Sequence, residues 1–205
     1  MTTRILWCIC SATTLIVAQV FGLSTPSRAG LLYSAPNANS SSKLNDWYLH
    51  HIPTVFQAHN DLFVNEYYDA QMDAYLTSGS ADTSNLRNND NSGGDMSDVD
   101  GVFENDPPRL SLRIAPDGSV DFMTFAHEFG HYVWFIEMND SERQRYSKLY
   151  HKQKSAHHLV TKYAETDTEE GFAEAFSFYV SQPAILAHRD SDSYQFLKQL
   201  HNISS

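Results

Sequence analysis

Residues 119–138, Ser-Val-Asp-Phe-Met-Thr-Phe-Ala-His127-Glu128-Phe129-Gly130-His131-Tyr-Val-Trp-Phe-Ile-Glu-Met, read as one helix with two histidines and a glutamate set into it. The Pro116-Asp117-Gly118 turn precedes it, Ser119 is placed to cap it, and Asp121 falls in the first turn, where its charge favours the helix dipole. Val120, Met123, His127, His131 and Trp134 share one stripe, while Phe122, Phe125, Ala126, Phe129, Val133 and Ile136 make the opposite side apolar. A helix apolar nearly all round is a buried one. Within it, imidazoles four residues apart lie one above the other, so both can reach a single ion at ~2.0–2.1 Å. Glu128 flanks that face and is placed to take a proton from a water on the metal. Two buried imidazoles without a shared partner would each need a separate hydrogen bond, which favours one shared ion over two isolated core residues.

A third ligand is offered downstream. Residues 163–180, Tyr163-Ala-Glu-Thr-Asp-Thr-Glu-Glu170-Gly-Phe-Ala-Glu174-Ala-Phe-Ser-Phe-Tyr-Val180, predict a second helix that starts near Asp167 or Thr168 and ends before Pro183. Phe172, Ala173, Phe176, Tyr179 and Val180 form its apolar face. Glu170 and Glu174 are one turn apart on one side, so one carboxylate can bind the metal while the other receives the free ring N–H of a metal-bound histidine. Glu165, Asp167 and Glu169 read instead as a solvated acidic helix start.

The letters exclude the metzincin pattern, because Trp134 stands where its glycine belongs and Glu137 where its third histidine belongs. With these features the chain resembles the anthrax lethal factor-like zinc metallopeptidases, a family that includes the secreted Pro-Pro endopeptidases. The resemblance rests on His127-Glu128-Phe129-Gly130-His131, on the segment from Glu170 to Phe176, and on Tyr163, seven residues before the first of those glutamates. It covers roughly residues 102–200. It implies that His127, His131 and Glu170 bind zinc, that Glu128 is the general base, and that Glu174 supports the site behind the ligands. It also implies that Tyr163 hydrogen-bonds the oxyanion of the tetrahedral intermediate, a contact worth ~2.7–4 kcal/mol of barrier in a water-poor cleft.

Upstream, Arg109-Leu-Ser-Leu-Arg-Ile114 alternates polar with apolar between Pro107-Pro108 and Ala115-Pro116, and reads as a short strand. As the strand before the metal helix it is expected at a sheet edge, where an extended peptide can add by main-chain hydrogen bonds. Asn45 to about Leu76, rich in aromatic residues, reads as helix in two pieces separated near Pro53. The polar run 77–101 reads as a long loop. Its acidic end, Asp95 to Gly101, does not fit a calcium hand, since Met96 occupies the first ligand position. Residues 140–162 read as a polar helical connection with solvated His151, His157 and His158, and 190–201 as a closing amphipathic helix. The expected fold class is α+β: a mainly helical, gluzincin-like domain over 44–205, with a small sheet before the active-site helix.

Residues 1–29 have the pattern of a secretory signal peptide: Arg4 in a short positive start, a largely apolar run from Ile5 to Leu23, and Ser27-Arg28-Ala29 before the cut. Residues 30–43 are expected to be a disordered leader. Cys8 and Cys10, the only cysteines, both lie in the signal segment, so the mature chain is expected to hold no disulfide. Removing 1–29 takes away Arg4 and Arg28 and no acid, which moves the formal charge from −11 to −13. Such a surface repels polyanions and favours basic partners, so nucleic acid is excluded and a basic peptide or protein is the expected substrate. The whole reads as a secreted, monomeric zinc endopeptidase without a membrane segment after signal removal; a zinc-stabilised binding protein or effector of the same fold is the alternative.

Overall fold

The computed structural model describes residues 31–34, 38–58, 62–78 and 99–203. The signal segment and most of the polar loop lie outside them. The chain runs β1 (Leu31–Ser34), α1 (Ala38–His51), β2 (Leu62–Tyr68), α2 (Asp69–Thr77), β3 (Gly101–Asn105), β4 (Pro108–Ile114) and α3 (Phe122–Tyr132), which continues into a π-helical turn at Val133–Glu137. It proceeds through α4 (Asp140–Ala156), a 3-10 turn (Tyr163–Glu165), α5 (Thr168–Ser181), α6 (Pro183–Arg189) and α7 (Ser191–Ile203). This is a mainly helical α+β domain with a small mixed sheet completed ahead of α3. Among the described residues, no helix is long and apolar enough to cross a membrane.

The sheet order is β1-β2-β4-β3. β1 pairs with β2 and β2 with β4 in parallel, whereas β3 returns antiparallel along β4 with Phe103 opposite Leu110. Leu62, Val64, Leu110, Leu112 and Ile114 are fully buried, so the central strands face a core shared with the helices. Residues 62–68 are therefore a strand, where the sequence was expected to continue as helix. Pairing on both sides, with β1 and β4, outweighs any local helix preference. The Arg109–Ile114 strand forms as expected, but in the interior; β3 is the edge beside α3, so the edge-strand expectation moves to 101–105.

The stretch 30–43, expected as a structureless leader, instead supplies β1 and the first turns of α1. Its serines mislead a composition reading because Ser40 and Ser41 hydroxyls donate to the buried Glu66 carboxylate on β2, at 2.5 and 3.3 Å. From there Leu44 and Tyr48 are buried on one face of α1, and Ile52, just past its end, continues the same four-residue spacing into the core.

α3 begins at Asp121 rather than Ser119. The Asp121 carboxylate accepts from the Met123 N–H at 2.8 Å, a cap worth ~1 kcal/mol. After Tyr132 the helix widens, and the Met138 N–H donates to Val133 five residues back, at 2.9 Å. The wider turn sends Trp134 into the core against Phe172, with ring centroids 5.4 Å apart, and leaves Phe135 stacked on His131 at 6.4 Å. It is Phe135, not Trp134, that continues the histidine stripe.

α3 and α5 cross at close range. A Cβ on Gly130 would lie 2.8 Å from the Ala173 Cα, so glycine here and a small residue opposite are what let the two backbones approach. That crossing brings one turn of α3 against one turn of α5.

Candidate metal centre and active site

His127 and His131 project from α3 toward Glu170 and Glu174 on α5. Nε2 of His127 lies 3.0 Å from Glu170 Oε2, and Nε2 of His131 lies 3.6 Å from the same oxygen. The possible donor atoms of His127, His131 and Glu170 all fall within 4.8 Å of one another, and theirs is the one such triad among the described residues. Two imidazoles and a carboxylate are a donor set that suits zinc with a position left open. Glu170 Oε2 is buried yet makes no well-formed hydrogen bond, an orphaned acceptor that a cation between the three side chains would satisfy. The residues present fit a metal ion.

Glu174 does not share that point. Its Oε1 lies 2.9 Å from Nδ1 of His127, and its Oε2 accepts from the Thr161 hydroxyl at 2.6 Å. With Nδ1–H donated to Glu174, Nε2 is the His127 nitrogen that faces the triad, and its lone pair becomes available to a metal once its proton is displaced. Thr161 in turn accepts from the Ala164 N–H at 3.0 Å, which fastens the 3-10 turn that begins with Tyr163. Nδ1 of His131 is buried without a partner.

Glu128 is nearly buried, at 8 % exposure, and sits beside the two histidines on α3. Burial raises its pKa, against the opposing pull of His127 and His131 and of the nearby Phe103 backbone N–H of β3. Tyr163 is 55 % exposed, with its ring 5.8 Å from that of His127. Burial of its hydroxyl end, then the charges of Glu170 and Glu128, raise its pKa, so the phenol stays protonated as a donor. Burial works to lower the His127 pKa, but the Glu170 and Glu174 carboxylates against its two ring nitrogens and the charge of Glu128 outweigh this and lift it to about 10. Glu170 is held below the usual carboxylate range: burial works to raise it, and the two histidines overcome that.

A structural comparison bears on the fold that carries these residues. A Pro-Pro endopeptidase, PPEP-2 of Paenibacillus alvei, superposes with a TM-score of 0.52 over 82 % of this chain and 97 % of that one, at 19 % identity. The two chains share a fold. No protein-family model and no curated protein matches the sequence.

All six residues singled out in the sequence, His127, Glu128, His131, Tyr163, Glu170 and Glu174, come together where α3 meets α5 and the Tyr163 turn. Thr161 was not singled out. Its signal was weak, a lone threonine two residues before Tyr163, since only the tertiary structure shows that a carboxylate thirteen residues later accepts from it. The β3 amide near Glu128 was equally hidden, because a backbone donor leaves no trace in the letters. The calcium question at Asp95–Gly101 falls mostly outside the described residues.

Proposed function

We propose that this chain is a secreted, zinc-dependent endopeptidase of the lethal factor-like family. The observation that carries the reading is the convergence of His127, His131 and Glu170 on one point, with the Glu128 carboxylate beside it. Zinc held there would bring a water toward a pKa of ~7 and polarise the scissile carbonyl. Glu128, buried and with its proton affinity raised, accepts the proton of the attacking water and hands it to the leaving amine. Tyr163 donates its hydroxyl toward the oxygen that gains charge. Glu174 keeps His127 in the tautomer that leaves Nε2 free. The open edge of β3 gives an extended substrate a line of backbone groups beside Glu128.

The fold-sharing neighbour is named for cleavage at Pro-Pro, so peptides with adjacent prolines are the first substrates to test, basic ones especially given the acidic chain. An inactive binding protein of the same fold is the second reading, and the presence of Glu128 disfavours it. Incubating the purified mature chain with a peptide library that includes Pro-Pro sequences, with and without a chelator, tests the proposal. Cleavage that stops with chelator and returns with added zinc is expected. Cleavage indifferent to chelator would remove the metal from the account, and no cleavage of any peptide by the zinc-loaded chain would favour the binding protein.

A further inference from the structure

Gly101 opens β3, the edge strand, and faces the metal helix. A Cβ placed on it would stand 2.7 Å from Glu128 Cγ, 2.8 Å from Glu128 Oε1 and 2.8 Å from Thr124 Cγ2. Those are overlaps, not contacts. Backbone torsion does not explain the glycine, since the one positive-φ glycine among the described residues is Gly118. Space explains it: the Glu128 side chain lies directly on the bare backbone of β3.

Two residues on, the Phe103 N–H lies close enough to the Glu128 carboxylate to favour its charged form. Strand alternation makes that amide available. The Arg113 N–H of β4 donates to the Asp100 carbonyl at 2.7 Å, so the even-numbered residues of this strand turn their polar groups toward β4. Gly101 and Phe103, the odd ones, turn theirs to the open edge. Glu128 therefore lies beside a donor that the sheet does not use, and a bond from that amide to the carboxylate would be charge-assisted. A glutamate side chain has three rotatable torsions, and on a helix face with nothing beside it the carboxylate would sample several positions.

We propose that Gly101 and the Phe103 amide form a clamp that holds the Glu128 carboxylate in one position, with Gly101 as a positioning residue for proton transfer. The catalytic consequence rests on the peptidase reading above; the clamp itself does not. Any side chain at 101 displaces Glu128 or lifts β3 from the helix, and a shift of ~1 Å in a reacting group costs about 10²-fold in rate.

Amide hydrogen exchange followed by NMR on the zinc-loaded chain and on its Glu128→Ala variant tests the clamp without reference to activity. The Phe103 amide should exchange slowly in the parent and at least about tenfold faster in the variant, while the Val102 and Glu104 amides, which face β4, keep their rates. Equal Phe103 rates in both proteins would overturn the proposal. Gly101→Ala gives the second arm: kcat should fall ~10–100-fold with KM within about threefold and zinc content unchanged. A rise in KM at unchanged kcat would assign Gly101 to substrate binding and overturn the positioning role. Should Gly101→Ala not fold, the exchange arm decides. A parent that cleaves nothing, but whose Phe103 amide responds to Glu128→Ala, would sink the peptidase reading and leave the clamp standing.

Discussion

Nδ1 of His127 on α3 stands 2.9 Å from Oε1 of Glu174 on α5, and the other oxygen of that carboxylate accepts from the Thr161 hydroxyl at 2.6 Å. One side chain thus sets the tautomer of a candidate ligand and anchors the turn that presents Tyr163. Glu174→Ala should weaken zinc binding ~10–100-fold, read by competition with a chelating dye. Thr161→Val should separate the two roles: zinc affinity unchanged, kcat lowered because the Tyr163 turn is released. Loss of zinc affinity in Thr161→Val would show that the turn and the ligand are not independent.

Glu170 supplies the oxygen nearest both Nε2 atoms. Glu170→Gln should leave the chain well below one zinc per molecule after dialysis, measured by elemental analysis. Full occupancy in that variant would transfer the third ligand to Glu169 or Glu165.

How much of this was legible in the sequence follows from the range of each signal. His127, Glu128 and His131 could be placed together because four residues on a helix are one turn, and Glu170 and Glu174 for the same reason. The meeting of the two pairs also left a local trace, Gly130 against Ala173, although nothing in the letters says that those two residues touch. Residues 62–68 were misjudged because a short apolar and aromatic run does not declare its own geometry; pairing with β1 and β4 makes it a strand. The π-helical turn was invisible, since α and π turns differ by one residue of register, and that single step exchanges Trp134 for Phe135 beside His131.

Tyr163 tests the catalytic geometry. Tyr163→Phe keeps the ring near His127 and removes the donor, so kcat should fall ~10²–10³-fold with little change in KM or zinc content. A change of only a few-fold would make Tyr163 a wall of the cleft rather than a partner of the reacting oxygen.

The pH behaviour follows from His127. In the metal-free chain its pKa is raised from 6.5 to about 10, against burial, by the Glu170 and Glu174 carboxylates at its two ring nitrogens. Zinc must displace that proton, so uptake at about pH 8 should release protons, visible as a buffer-dependent heat in calorimetry, and affinity should keep rising with pH past the usual histidine range. The sign for stability is the opposite. Between 6.5 and about 10 the folded metal-free chain binds more protons than the unfolded one, so its stability should fall as pH rises through that window. Zinc loading should abolish that slope. A metal-free melting temperature that is flat or rising with pH there would mean that His127 is already neutral.

The central claim is that Glu128 performs chemistry at a metal it does not bind. The most direct measurement compares peptide turnover by the parent chain and Glu128→Ala at equal, separately measured zinc content. The account predicts one zinc in each and a loss of ~10²–10⁴-fold or more in kcat/KM for the variant. Near-normal turnover by a zinc-loaded Glu128→Ala chain would contradict it.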